Sequence, residues 1–126
     1  MSKGYQAHKE RLNEISTFGK TVGKRAGFKC EWCASSDHLR LWDYKPDEPP
    51  SADFLALLCD RCRGWADGVK FEANELHAIR NALWSDVMAV AEGAARVMAG
   101  CRDSWVREAI EESFIADAVK SELLKP

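Results

Sequence analysis

Long apolar runs are absent. None approaches the ~20 residues that a bilayer span requires, and the start MSKGYQAHKE lacks the apolar core of a secretory signal. The expectation is therefore a cytoplasmic protein with no membrane partner. Histidine is also scarce: His8, His38 and His77 are scattered along the chain, and no open metal site of the hydrolytic kind can be assembled from them. No internal repeat and no low-complexity segment is present. At 126 residues the chain reads as a single domain, long enough to remove roughly two thirds of its unfolded surface from water. Its hydrophobic content of 46% and charged content of 30% are those of an ordinary globular protein.

Net charge is only −2, but it is unevenly spread. Residues 1–29 hold seven Lys/Arg against two Glu, residues 30–70 five against eight acids, and residues 71–126 six against ten. A basic first third on an otherwise acidic chain suits contact with phosphates; the plainer reading is a solvated helix face.

Within that third, Tyr5, His8, Leu12, Ile15, Phe18 and Val22 recur at intervals of three and four, which predicts one basic amphipathic helix, from Tyr5 to about Lys24 within residues 1–26. His8 falls on the apolar stripe and reads as a packed or edge histidine. Over residues 27–67 the period changes. Leu39 to Tyr44 alternates as a strand, with Leu39 and Leu41 on one face and Trp42 and Tyr44 on the other, and Phe54 to Leu58 reads as a second strand. Over residues 68–126 the chain is helical again. Leu76, Ile79 and Leu83 form one stripe; Val87, Val90, Ala91, Ala94, Val97, Met98 and Cys101 form a second, with Ser85 or Asp86 as N-cap and Gly100 as stop. Val106, Ile110, Phe114 and Ala118 form a third. The expected architecture is α+β: a helix, a small zinc ribbon with short antiparallel strands, then a bundle of about three helices. Its Ala-rich contacts would serve equally well within one chain or in a homodimer.

The strongest signal is Cys30 and Cys33, then Cys59 and Cys62, with 25 residues between the pairs. Each CxxC folds as a tight turn that aims two thiolates at one point, and two such turns complete a tetrahedron. In a reducing compartment this spacing argues for one structural Zn²⁺ per chain and against disulfides. Iron in a rubredoxin-like site uses the same ligands, and spacing alone does not separate the two. Four thiolates leave no open position for water or substrate, so such a metal contributes folding energy and no catalysis. Cys101 lies on an apolar helix stripe and reads as a small hydrophobe.

The layout is similar to that of the His-Asn-His nucleases: CxxC, a strand ending in Asp-X-X-Pro, a polar loop, a second CxxC. In that family the strand carries Asp-His. Here the pair is Asp43-Tyr44, and a tyrosine with its usual pKa of ~10 is a poor general base. Arg63 follows Cys62 where that family holds a metal-binding His or Asn, and His38, five residues before Asp43, is a doubtful substitute.

A closer likeness is carried by FKCEWCASSDHLRLWDYKP, SADFLALLCDRC and the segment around Trp84-Ser85-Asp86. Over most of residues 24–115 the chain resembles the PhnA-like zinc-ribbon proteins, named for the alkylphosphonate utilisation operon. It departs at Ala34, where a glycine often follows the knuckle, and it lacks the C-terminal β-rich domain of longer relatives. The resemblance implies Cys30, Cys33, Cys59 and Cys62 as metal ligands; the operon name does not establish phosphonate cleavage.

The resulting expectation is a non-enzymatic, structural-zinc interaction module. Lys20, Lys24, Arg25, Lys29, Arg40, Trp42, Arg61 and Arg63, with Trp65, are candidate contacts to a protein or nucleic acid. The alternatives are a nucleic-acid-binding regulator, and an enzyme, either a degenerate nuclease or a phosphonate-related hydrolase.

Overall fold

The computed structural model describes residues 3–125, with side chains from residue 7 onward; the expected place of the Tyr5 side chain on the first stripe lies outside them. The single N-terminal helix is in fact two, α1 (Lys3–Ser16) and α2 (Gly19–Ala26). The Ser16 and Thr17 hydroxyls donate back to the Asn13 and Glu14 carbonyls at 2.7 and 2.6 Å. The Phe18 N–H closes a tightened last turn onto the Ile15 carbonyl at 2.9 Å. Side chains that compete for backbone acceptors in this way loosen a helix, and the chain turns before restarting. Ile15 and Val22 are buried, but Leu12 is 52% exposed and His8 is exposed, so the stripe meets the core only in its second half.

Strands β1 (Arg40–Asp43) and β2 (Leu55–Leu58) pair antiparallel, with Arg40 opposite Leu58 and Asp43 opposite Leu55. Their alternation sorts side chains to two clusters. Leu55, Leu57 and Leu41 pack with Ile15, Phe18 and Val22 of the N-terminal helices. Ala56, Leu58, Trp42 and Tyr44 pack on the helices that follow. All four residues of β2 are buried, because this strand is covered on both faces.

The second cluster of cysteines opens α3 (Asp60–Ala66). Beyond it, Ala73–Trp84 winds as 3₁₀ turns rather than the expected α-helix; Leu76, Ile79 and Ala82 are buried at intervals of three, as that tighter winding requires, and Leu83 joins them. Next, α4 (Met88–Met98) buries Val90, Ala91, Ala94 and Met98 in the main core. Its first N–H is not capped by Ser85 or Asp86. The Met88 N–H donates to Asp53 Oδ1 at 3.1 Å, from the turn before β2, while the Ser85 hydroxyl accepts from Val87 N–H at 3.0 Å. Gly93 on α4 lies against two indoles: a Cβ there would meet Trp42 at 2.7 Å and Trp32 at 2.9 Å.

The last expected helix is also divided, into α5 (Ser104–Glu112) and α6 (Asp117–Leu123). Val106 and Ile110 are fully buried, but Phe114 is 78% exposed and Ala118 is exposed. The buried Ser113 hydroxyl donates to the Ile110 carbonyl at 2.6 Å, the chain bends there, and Ile115 takes the core position instead. Cys101 is 8% exposed within the main core, as an apolar side chain would be. Among the described residues no helix is long and apolar enough to cross a membrane.

Candidate metal centre

The first cysteine pair sits on a knuckle rather than in a regular element. The Ala34 N–H bonds to the Cys30 carbonyl at 2.8 Å, and the Cys30 N–H reaches the Ser35 carbonyl at 2.7 Å. Inside that turn the Cys33 N–H points at Cys30 Sγ, 3.5 Å away. Closing the turn puts Ala34 at φ 68°, in the left-handed region that glycine occupies without cost. The other pair comes from the end of the sheet. Cys59 directly follows β2 and Cys62 lies in the first turn of α3.

Two further residues lock the knuckle to the sheet. The Glu31 N–H donates to the Leu57 carbonyl at 2.8 Å. Its carboxylate, 7% exposed, takes a fork from Arg25, with Nη2 2.9 Å from Oε1 and Nε 3.2 Å from Oε2. Arg25 also donates to the Ala52 and Leu55 carbonyls at 2.7 and 2.8 Å. Burial pushes the Glu31 carboxyl up against the pull of this guanidinium. Arg25 is thus a clamp, its donors committed within the chain. Arg63 is similar, bonding the His38 and Leu58 carbonyls at 2.7 and 3.3 Å.

The result is that Cys30, Cys33, Cys59 and Cys62 bring their sulfurs within 4.8 Å of one another. Cys33 and Cys59 stand 3.6 Å apart, Sγ to Sγ, and all four are free thiols. A tetrahedral site with Zn–S of ~2.3 Å has sulfur–sulfur edges of about 3.8 Å, so the cluster is already of the size a metal ion needs. Among the described residues it is the one grouping of three or more ligating side chains that fits an ion.

The thiols do not share charge evenly on their own. A hydrogen bond from Cys62 pulls Cys30 well below the usual thiol range; that bond, with burial, pushes Cys62 far above it. Burial likewise raises Cys33. A divalent cation removes this asymmetry by stabilising all four as thiolates. Arg61 stands beside them, its guanidinium 4.8 Å from the Trp65 ring centroid. Burial works against its charge, but hydrogen bonding and attraction to Cys33, with the charges of Cys62 and Cys59, raise its pKa overall.

The other candidates are spread more widely. Lys20, Lys24, Lys29 and Arg40 are exposed. Trp42 is half-buried between Trp32 and Tyr44, with ring centroids 5.2 and 5.5 Å away. Trp65 is buried beneath Arg61. The Asp43-Tyr44 pair is occupied: Asp43 accepts from Arg11 at 2.8 and 3.2 Å. The Tyr44 hydroxyl donates to Glu92 at 3.0 Å and accepts from Arg96 at 2.7 Å. Burial pushes the Tyr44 phenol up, which moves it further from service as a base. His8 lies on α1, His38 in the loop before β1 and His77 in the 3₁₀ segment, where it is stacked on Trp105 at 3.8 Å between ring centroids.

Sequence reasoning passed over Phe28. It sits at φ 57° with 63% of its surface exposed, directly after Gly27 at φ 63°. The available signal was a glycine closing a helix with an aromatic immediately behind it.

No protein-family model matches the chain, and no curated protein or solved structure gives a significant match.

Proposed function

We propose that the chain is a non-enzymatic interaction module whose small sheet is held by one structural zinc ion on Cys30, Cys33, Cys59 and Cys62. A single observation carries the reading: four free thiols converge within 4.8 Å, at the size of a tetrathiolate site. Four thiolates complete a tetrahedron, so the ion offers no place for substrate, and its binding energy is folding energy. Zinc is favoured over other divalent ions by the soft all-sulfur donor set. The likeness of residues 24–115 to PhnA-like proteins agrees with the same ligands and adds no reaction. A nuclease role draws no support from Asp43 and Tyr44, whose polar atoms are engaged by Arg11, Arg96 and Glu92.

Elemental analysis of protein purified without added metal tests this. The expected result is one zinc per chain, lost on Cys→Ser replacement at the ligands and kept on Cys101→Ser. Iron in its place, no metal, or magnesium-dependent turnover of a nucleic-acid or phosphonate substrate would overturn it.

A further inference from the structure

The C-terminus of α2 ends in a glycine-closed turn that leaves a large aromatic residue in the open. Phe28 is a large apolar residue left 63% exposed. Its backbone is left-handed at φ 57°, a conformation that bulky residues seldom adopt. Its pose is nonetheless firmly set: the Phe28 N–H bonds to the Gly23 carbonyl at 2.9 Å, and the Gly27 N–H to the Lys24 carbonyl at 3.1 Å. The ring rests so close to the helix that a Cβ at Gly23 would stand 2.8 Å from it. Gly23 therefore has to be a glycine for the ring to rest there.

Helical spacing places Lys20, three residues before Gly23, on the flank where the ring rests, and Lys24 one turn beyond Lys20 on the adjoining flank. Lys29 follows directly in the chain. All three lysines are exposed, and among the described residues none is ion-paired, whereas Arg11 and Arg25 of the same basic third are spent on Asp43 and Glu31. What remains is an exposed aromatic side chain with three unpaired cations near it in the chain.

We propose that Phe28, Lys20, Lys24 and Lys29 form a binding site for single-stranded nucleic acid, with Phe28 stacking on one base and the lysines contacting neighbouring phosphates. This rests on the interaction-module reading above and names its partner. A single strand fits better than a duplex, because a base must be free to meet the ring. It also fits better than an acidic protein segment, which would use the cations but has no planar face for Phe28. Arg25 is left out of this site, since its guanidinium is held by Glu31 and two backbone carbonyls.

The test is fluorescence anisotropy of labelled oligothymidylate of about 15 nucleotides, a length matched to known single-strand sites, with the full metal-loaded chain at about 50 and about 200 mM salt. Three phosphate contacts on a single strand give a log–log salt slope of about −2. Lys20→Ala, Lys24→Ala and Lys29→Ala each flatten that slope. Phe28→Ala weakens binding by about 5- to 100-fold and leaves the slope unchanged, as loss of one stacked base requires. Phe28→Leu still covers Gly23 but loses affinity equally, and Phe28→Trp retains it. Unchanged binding by Phe28→Leu, equal affinity for duplex, or binding to poly-glutamate in place of the oligonucleotide would each overturn the inference. Metal content and thermal unfolding are read on the same preparation. A folded, metal-loaded chain that ignores the oligonucleotide sinks this site and leaves the zinc reading standing; a folded chain that binds the oligonucleotide as described but carries no metal does the reverse.

Discussion

Gly93 and Trp42 meet so closely that a methyl group on Gly93 would come within 2.7 Å of the indole ring. Trp32 closes the same space at 2.9 Å, and neither ring is a flexible chain end that can swing clear. Gly93→Ala is expected to cost about 1–3 kcal/mol by overpacking. The usual gain in helix propensity from such a change, about 1 kcal/mol, is too small to offset it. Denaturant unfolding measures this directly; an alanine variant as stable as the parent would mean that α4 does not seat on the sheet as described.

Ala34→Gly should stabilise the knuckle. Left-handed backbone costs a non-glycine residue roughly 1–2 kcal/mol, and glycine gives back roughly 0.5–1 kcal/mol in unfolded-chain entropy. The net expectation is a gain of about 0.5 kcal/mol, seen as a higher midpoint in urea with unchanged metal content. Ala34→Val moves the midpoint the other way.

Asp53→Ala removes the cap on the Met88 N–H and should cost about 1 kcal/mol, while Asp53→Asn, which keeps an acceptor oxygen, should cost less. Asp86→Ala, at one of the two positions read from the sequence as cap, should be close to neutral. Thermal melts of the three variants decide between the two caps.

Much of the site was legible because it depends on local spacing. A CxxC turn is a short-range device, and the alternation of Leu41 and Trp42 reports sheet faces residue by residue. The N-cap was not legible, since Asp53 is 35 positions from Met88 and only the folded chain brings them together. The helix breaks were missed for a different reason. Periodicity registers apolar positions, whereas α1 and α5 end where Thr17 and Ser113 hydroxyls take backbone carbonyls for themselves. The clamp that Arg25 makes was not legible for the same reason: a cation looks the same in sequence whether its donors face solvent or a buried Glu31.

On the proposed zinc reading, replacing Cys62 by Ser should abolish stoichiometric metal and, with it, several kcal/mol of stability, since the binding energy of a structural metal is folding energy. Cys101→Ser should keep the metal and lose about 1–3 kcal/mol for a buried hydroxyl that lacks a partner. Acidification should mimic the first variant, because protons compete with the ion for thiolates that unfolded cysteine holds near ~8.5. Stability conferred by the metal is thus greatest above that value and falls as pH is lowered, with proton uptake accompanying release. Metal content and melting temperature followed together across pH provide the check; a protein that keeps its melting temperature after losing the ion would contradict it.

The two-sided packing of β2 has one more consequence. Leu55 and Leu57 belong to the N-terminal helices and Ala56 and Leu58 to α4, so a slip of one residue would exchange the two sets and carry Cys59 away from Cys33. Only one alignment of this short hairpin satisfies both the oily side chains and the sulfurs. A bound ion would therefore act as a gauge as well as a staple: it could close only on a strand pair joined in the correct register.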